Sequence, residues 1–187
     1  MDLILGSQSP RRKRLLATLG VPFRCLTPRV EELSDGHLPH ELVQENALIK
    51  WRWCCEQEPE SLILTADTAV EIEGMVLGKP RDRADAEAML QHQSGRMQLV
   101  HTGYALGYAK EGSVPLMHGV VTSEVTFKKL SSADIQTYID RVHPYDRAGA
   151  YDIDESGDLL VASCSGSRTN VMGLPMERIR ELWDCIH

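Results

Sequence analysis

The stretch that most constrains this chain is its opening. Leu3-Ile4-Leu5 is followed at once by Gly6-Ser7-Gln8-Ser9-Pro10 and then by Arg11-Arg12-Lys13-Arg14-Leu15-Leu16. The apolar run is long enough for one buried strand, and Gly6, Ser7 and Gln8 break it. Ser9 is a good N-cap, and Pro10 suits the first helical position, where its missing N–H costs nothing. Leu15, Leu16 and Leu19 then share one helix face, and Gly20 closes the helix. The order strand, tight loop, helix N-terminus leaves free N–H groups at the strand end, a ready anion site. Arg11 to Arg14 sit in the first turn, against the helix dipole. A solvated basic face is one account of such a run. A phosphate cradle is the other, and the Ser-x-Ser-Pro loop favours the same anion.

Composition narrows the class of ligand. At 187 residues the chain is expected to form a single domain, residues 1–187, with a real core. The net charge of −7 argues against a nucleic-acid polymer as partner. The cations are local, which suits a small anion. The five cysteines, Cys25, Cys54, Cys55, Cys164 and Cys185, form no CxxC pair, which argues against structural zinc. Reduced thiols in a cytoplasm fit them best. No signal peptide or membrane-length apolar run is read, so no membrane partner is expected. A homodimer is compatible with the sequence, which does not fix the oligomeric state.

Along the chain, Val21–Thr27 reads as a strand and 28–39 as a polar loop carrying Glu31, Glu32 and Asp35. Glu31 and Glu32 read as surface acids or as groups that position metal or water. His40–Gln57 reads as a helix with Leu42, Val43, Leu48, Ile49 and Trp53 toward the core, and Lys50 also lies on it. Ser61–Ala66 is the clearest buried strand, ending at Asp67-Thr68. A carboxylate there is either a turn cap or a catalytic or metal-binding acid. Residues 69–72 and 75–77 form an expected hairpin leading to Gly78-Lys79-Pro80, where a glycine and a proline flank a lysine able to sit over a ligand. A helix over Arg83–Gln93 precedes a long antiparallel pair, 97–109 and 114–128, turned through Glu111-Gly112-Ser113. Further helices are expected over Ala133–Val142 and Met176–Cys185, with a last strand over Leu159–Ser163. The alternation predicts an α/β domain around a mixed sheet.

Several motifs also stand in one order over nearly the whole chain. They are Gly6-Ser7-Gln8-Ser9-Pro10-Arg11-Arg12, Lys50, Ala66-Asp67-Thr68, Gly78-Lys79-Pro80, Ser94-Gly95 and Thr102-Gly103. After them come Thr126-Phe127, Ala148-Gly149-Ala150-Tyr151 with Ile153, and Asn170-Val171 with Gly173-Leu174-Pro175. In this order they resemble the Maf family of nucleoside triphosphate pyrophosphatases. The resemblance implies a Maf/ITPase-like fold, a mixed twisted sheet flanked by helices with a β-hairpin extension. It implies hydrolysis of a nucleoside triphosphate between the α- and β-phosphates. That chemistry needs cations against the triphosphate, for which Arg11, Arg12, Lys50 and Lys79 are candidates, with Ser7 and the helix N–H groups beside them. It needs a base, for which Asp67 is the candidate. It needs a divalent metal, Mg²⁺ or Mn²⁺, with Asp67 and Glu31 as expected ligands.

Three departures from the family pattern are present: Gln98 for His, Arg147 for Lys and Asp154 for Gln. The last touches substrate choice. Members of the dTTP/UTP type carry Arg, Thr and Gln at the positions of Arg11, Thr68 and Asp154, whereas members of the 7-methyl-GTP type carry Trp, Gln and Glu. Two matches of three point to UTP and dTTP, with 7-methyl-GTP as the alternative substrate. A nucleotide-binding regulator without turnover is the alternative of another class.

Overall fold

The computed structural model describes residues 2–34, 36–111 and 114–186; Asp35 and the Gly112-Ser113 part of the expected turn lie outside them. The chain runs β1 (Leu3–Gly6), α1 (Pro10–Ala17), β2 (Phe23–Leu26), α2 (Pro39–Gln57), β3 (Leu62–Ile72) and β4 (Met75–Leu77). There follow α3 (Arg83–Gln93), β5 (Met97–Tyr108), β6 (Met117–Phe127), α4 (Ser132–Val142), α5 (Gly157–Leu160), β7 (Val161–Ser165), α6 (Arg168–Val171) and α7 (Met176–Ile186). The strands form one mixed sheet in the order β2-β1-β3-β5-β6-β7, with β4 as a hairpin on β3. Among the described residues only β1 with β2 and β1 with β3 pair in parallel. This is the expected α/β architecture.

Burial explains the element types. β1 is buried throughout because it has helices on both faces. Ile4 packs on the α2 side with Leu48, Trp51, Cys54, Ile63 and Ala105. Leu3 and Leu5 pack on the other side with Leu15 and Leu16 of α1 and Ile179 and Leu182 of α7. Farther along that second face, Val70, Val100, Val125 and Phe127 meet α3 and α4 in a separate apolar cluster. Glu73 and Gly74, both at positive φ, turn β3 into β4.

Three local expectations are corrected. β3 does not end at Asp67; it continues to Ile72, and its ladder with β5 runs from Leu62 to Glu71. What ends is β1, whose last pairing is Gly6 with Thr65, so beyond that point one edge of β3 is open. The last strand begins at Val161, not Leu159, because Leu159 and Leu160 complete the turn of α5 and the Leu160 carbonyl accepts from the Lys128 N–H. The buried face of α2 takes Asn46, Lys50 and Trp51, while Ile49 and Trp53 are half-buried. Among the described residues no helix is long and apolar enough to cross a membrane.

α2 and β5 approach each other closely at Gly103. A Cβ on Gly103 would lie 2.3 Å from the Val43 carbonyl oxygen. Backbone cannot yield there as a flexible side chain would. Gly103→Ala must push α2 off the sheet, at a cost of about 3 kcal/mol or more. In a chain of this size that corresponds to a fall in Tm of roughly 6–12 °C, measured by thermal unfolding; an unchanged Tm would refute the contact.

Candidate active site

The open edge of β3 is where the candidate residues gather. β1 brings its C-terminal end to this place, and the loop Ser7–Ser9 carries the chain into α1. Ser9 caps α1, accepting from the Arg12 N–H, and the buried Ser7 hydroxyl accepts from the Ser9 N–H at 3.1 Å. Among the described residues the Arg11 amide N–H has no backbone acceptor, as is usual in the first turn of a helix.

Asp67 projects from β3 toward α2. Its Oδ1 accepts from Lys50 Nζ at 2.7 Å and its Oδ2 from Asn46 Nδ2 at 3.1 Å. The same Lys50 ammonium lies 2.9 Å from a Glu32 carboxylate oxygen. Asn46 also clamps the backbone of Leu33, accepting from its N–H at 2.7 Å and donating to its carbonyl at 3.0 Å. One buried amide thus holds both Asp67 and the residue next to Glu32. Burial is the largest influence on the Asp67 carboxyl and opposes its ionisation. The charges of Lys50 and Arg12, with the Lys50 and Asn46 hydrogen bonds, outweigh it and hold the carboxyl below its ordinary range.

Thr68, the next residue, faces the other side of the sheet. Arg12 reaches it along the open edge of β3. The guanidinium donates from NH1 to the Ala66 carbonyl at 2.8 Å, from NH2 to Thr68 Oγ1 at 2.9 Å and from Nε to the Gly173 carbonyl at 2.8 Å. Thr102 Oγ1, 2.9 Å from Thr68 Oγ1, donates to the Asn170 carbonyl at 3.0 Å. Gly173 sits at φ +105°, a backbone that L side chains rarely adopt, and a Cβ there would stand 3.5 Å from both Arg12 Nε and Thr68 Oγ1. The Thr68 hydroxyl is therefore spent on Arg12 and Thr102, while Arg12 keeps two of its five N–H donors for a ligand.

The other expected residues make no contact with Asp67 or Lys50 among the described interactions. Lys79 is exposed, and the loop that carries it is pinned where the Gly149 N–H donates to the Gly78 carbonyl at 3.0 Å. Arg11 pairs with Asp152 at 3.0 Å. Asp154 is exposed. Glu31, the expected metal ligand, is also exposed, and its neighbour Glu32 is the acid that meets Lys50. Asn46 and Asp152 escaped the sequence reading. For Asn46 one signal was available: it precedes Lys50 by four residues and so shares its helix face.

Among the described residues no three His, Cys, Asp or Glu side chains converge as a metal cluster. Glu32 and Asp67 nevertheless face each other across the Lys50 ammonium, and each keeps lone pairs that the lysine does not take. Two carboxylates supply only hard oxygen donors, a set that fits Mg²⁺ or Mn²⁺ when phosphate oxygens and water complete the shell.

A sequence profile described as Maf-like protein matches residues 2–185. The chain belongs to the Maf family. It is 45% identical over 178 residues to the dTTP/UTP pyrophosphatase of Symbiobacterium thermophilum, covering 95% of this chain and 90% of that protein. It is 42% identical over 181 residues to the dTTP/UTP pyrophosphatase of Moorella thermoacetica, covering 96% and 92%. The Staphylococcus aureus Ham1 protein shares the fold at a TM-score of 0.56 and 12% identity, over 100% of both chains.

Two predictions follow from this geometry. Removing Arg12 leaves the Ala66 and Gly173 carbonyls without a donor, at about 1–3 kcal/mol for each buried group left unpaired. Arg12→Ala should lower Tm by several degrees, whereas Lys79→Ala, at an exposed position, should leave it nearly unchanged; equal Tm values for both variants would contradict the strut role. The second concerns pH. The Asp67 carboxyl is lowered from its ordinary 3.8, so its stabilising contribution is complete above that value and is lost as pH falls through the lower folded-state value. Asp67→Asn lacks this contribution. The stability gap between wild type and variant should narrow from neutral pH to about pH 3, read by denaturant unfolding; a constant gap would refute it.

Proposed function

We propose that this chain is a nucleoside triphosphate pyrophosphatase. It hydrolyses the bond between the α- and β-phosphates to give a nucleoside monophosphate and pyrophosphate, with UTP and dTTP as preferred substrates. The observation that carries the reading is the pairing of two carboxylates, Asp67 and Glu32, on the buried Lys50 at the open end of β1, beside a helix N-terminus. The activity that names the two bacterial relatives supports the substrate.

In this scheme Asp67 is the general base for the attacking water. It is already ionised at neutral pH, because its Lys50 and Arg12 neighbours outweigh the cost of its burial. Burial of Asn46 and its three contacts fix the carboxylate's direction. The phosphates lie along the α1 N-terminus, facing the Arg11 N–H, the Ser7–Ser9 loop, the spare donors of Arg12 and the exposed Lys79. Lys50 has three donors, and the two carboxylates use two of them, so one remains for a phosphate oxygen. A divalent ion held by Glu32 and Asp67 would neutralise charge that builds on the phosphates. No serine or cysteine nucleophile is needed. The five cysteines are all free, which fits a reducing cytoplasm.

The test is product analysis. Wild-type protein with UTP and Mg²⁺ or Mn²⁺ should release UMP and pyrophosphate rather than UDP and phosphate. Asp67→Asn should lose roughly two to four orders of magnitude in kcat, the usual scale for a general base, while still binding nucleotide. Near-normal turnover in a folded Asp67→Asn protein would remove Asp67 from the mechanism.

A further inference from the structure

The sheet leaves one long strand half-partnered. Along one side β6 pairs with β5 from Met117 to Thr126. Along the other it meets β7 only from Glu124 to Phe127. Among the described residues no strand pairs with the outer side of Met117–Ser123. The chain leaving β7 covers only the end of this stretch, where Ser123 Oγ donates to the Ser167 carbonyl at 2.9 Å. Met117 to Thr122 are each exposed or half-buried, whereas β5 beside them is buried from Val100 to Gly107.

A strand edge that stays single is normally blunted by charge, proline, short length or a bulge. The other edges of this sheet show such devices. β2 spans four residues and carries Arg24, ion-paired with Asp2 and Glu58. β4 spans three residues, and β7 spans five with a bulge in its ladder at Thr126 and Phe127. From Met117 to Ser123 there is no Asp, Glu, Lys, Arg or Pro, and the ladder with β5 is regular. Val114 and Leu116, just before this stretch, are 65% and 45% exposed. In a chain of net charge −7, an uncharged edge is a place where a second copy meets no local repulsion.

The stretch also fits itself. Two copies of one edge pair about a two-fold axis only when antiparallel, with the axis perpendicular to the sheet. Residues that face each other then lie on the same side of it. Val120 is the middle residue of Met117–Ser123. With the axis there, Val120 faces Val120 of the second copy, a β-branched pair that supports a ladder. His118 faces the second copy's Thr122, and Gly119 faces its Val121. We propose that two copies of this chain associate by antiparallel pairing of β6 with β6, centred on Val120, which joins their sheets into one. The inference does not depend on which reaction the protein catalyses. Val120 pairs with Gly103, and Gly103 with Asp67. The axis thus lies two strands from Asp67, on the side away from the open edge of β3, and both sites stay free to take substrate.

The test is sedimentation equilibrium of the full chain, wild type against two double variants. His118 and Thr122 are both exposed, so charged side chains are tolerated there, and the proposed pairing sets them against each other twice. His118→Lys/Thr122→Lys places like charges at both contacts, and His118→Lys/Thr122→Glu places opposite charges there. Each variant gives up the Thr122 contact to His101 Nδ1 at 2.9 Å, so the comparison between them reads only the sign of the charge. Wild type should be a dimer. The Lys/Lys variant should raise the dimer Kd at least tenfold, and the Lys/Glu variant should keep or lower it. General repulsion predicts the reverse, because the Lys/Lys chain is the less negative of the two. Hydrogen exchange gives a second arm that needs no variant: alternate amides of Met117–Thr122 should exchange more slowly as wild-type concentration rises. Equal dimer constants for the two variants, or exchange at these amides that is independent of concentration, would overturn the inference. So would a monomeric wild type, which would leave the edge to an extended segment of another protein.

Discussion

Strand β1 stops at Gly6 while β3 runs on to Ile72, and the rest of the site depends on that mismatch. A strand edge left open inside a protein carries backbone groups that need partners. Here Arg12 supplies one, donating to the Ala66 carbonyl where the next β1 residue would have paired. The chain reaches this position because the loop after β1 turns straight into α1, so the helix N-terminus and the open edge are products of one event. Asp67 is therefore a mid-strand residue with a strand-end environment. β5 holds its backbone on one side, and on the other β1 has already left.

Electrostatics then divides the two faces of β3. On the α2 face, Lys50, Asp67 and Glu32 form a triad in which one ammonium serves two carboxylates. On the opposite face, Arg12, Thr68, Thr102 and Asn170 form a polar seam. That seam lies between the cluster around Leu5, Leu16 and Ile179 and the cluster around Val100, Phe127 and Tyr138. Two apolar clusters on one sheet face would ordinarily merge. The polar residues part them along the seam, where Arg12 needs its hydrogen bonds, and Met172 packs against both clusters.

Much of this was legible in the sequence. The strand, loop and helix of the opening follow from Leu3–Leu5, Ser9 and Pro10, and the structure realises them with Ser9 as the N-cap. α3 has its expected bounds, and α4 ends at Val142 as expected. Asp67 stood out because it follows a buried apolar run. What sequence could not supply was register. Whether β3 ends at Asp67 or only loses a neighbour depends on where β1 stops, which is a property of two strands. The choice between Glu31 and Glu32 has the same origin: both lie in a loop without periodicity, and Asn46, gripping Leu33, decides which one turns to Lys50. Asp152 was hidden for a similar reason. Its partner Arg11 is 141 positions away, and Asp154 drew attention as the departure from the family pattern.

The basic run Arg11-Arg12-Lys13-Arg14 shows how helix geometry sorts residues of one kind into different tasks. Successive side chains on a helix point about 100° apart, given 3.6 residues per turn. Arg12 falls toward the sheet, where backbone carbonyls take its donors. Arg11 falls toward the segment after α4 and finds a buried carboxylate. Lys13 and Arg14 are exposed. A continuous stripe of positive charge would attract any polyanion. Here two of the four cations are committed to internal partners of fixed geometry, and the net charge of the whole chain is −7. The attraction that remains is short-ranged and confined to the helix N-terminus. A small anion at that N-terminus gains the local attraction, and a long one also meets the repulsion of a chain whose net charge is negative.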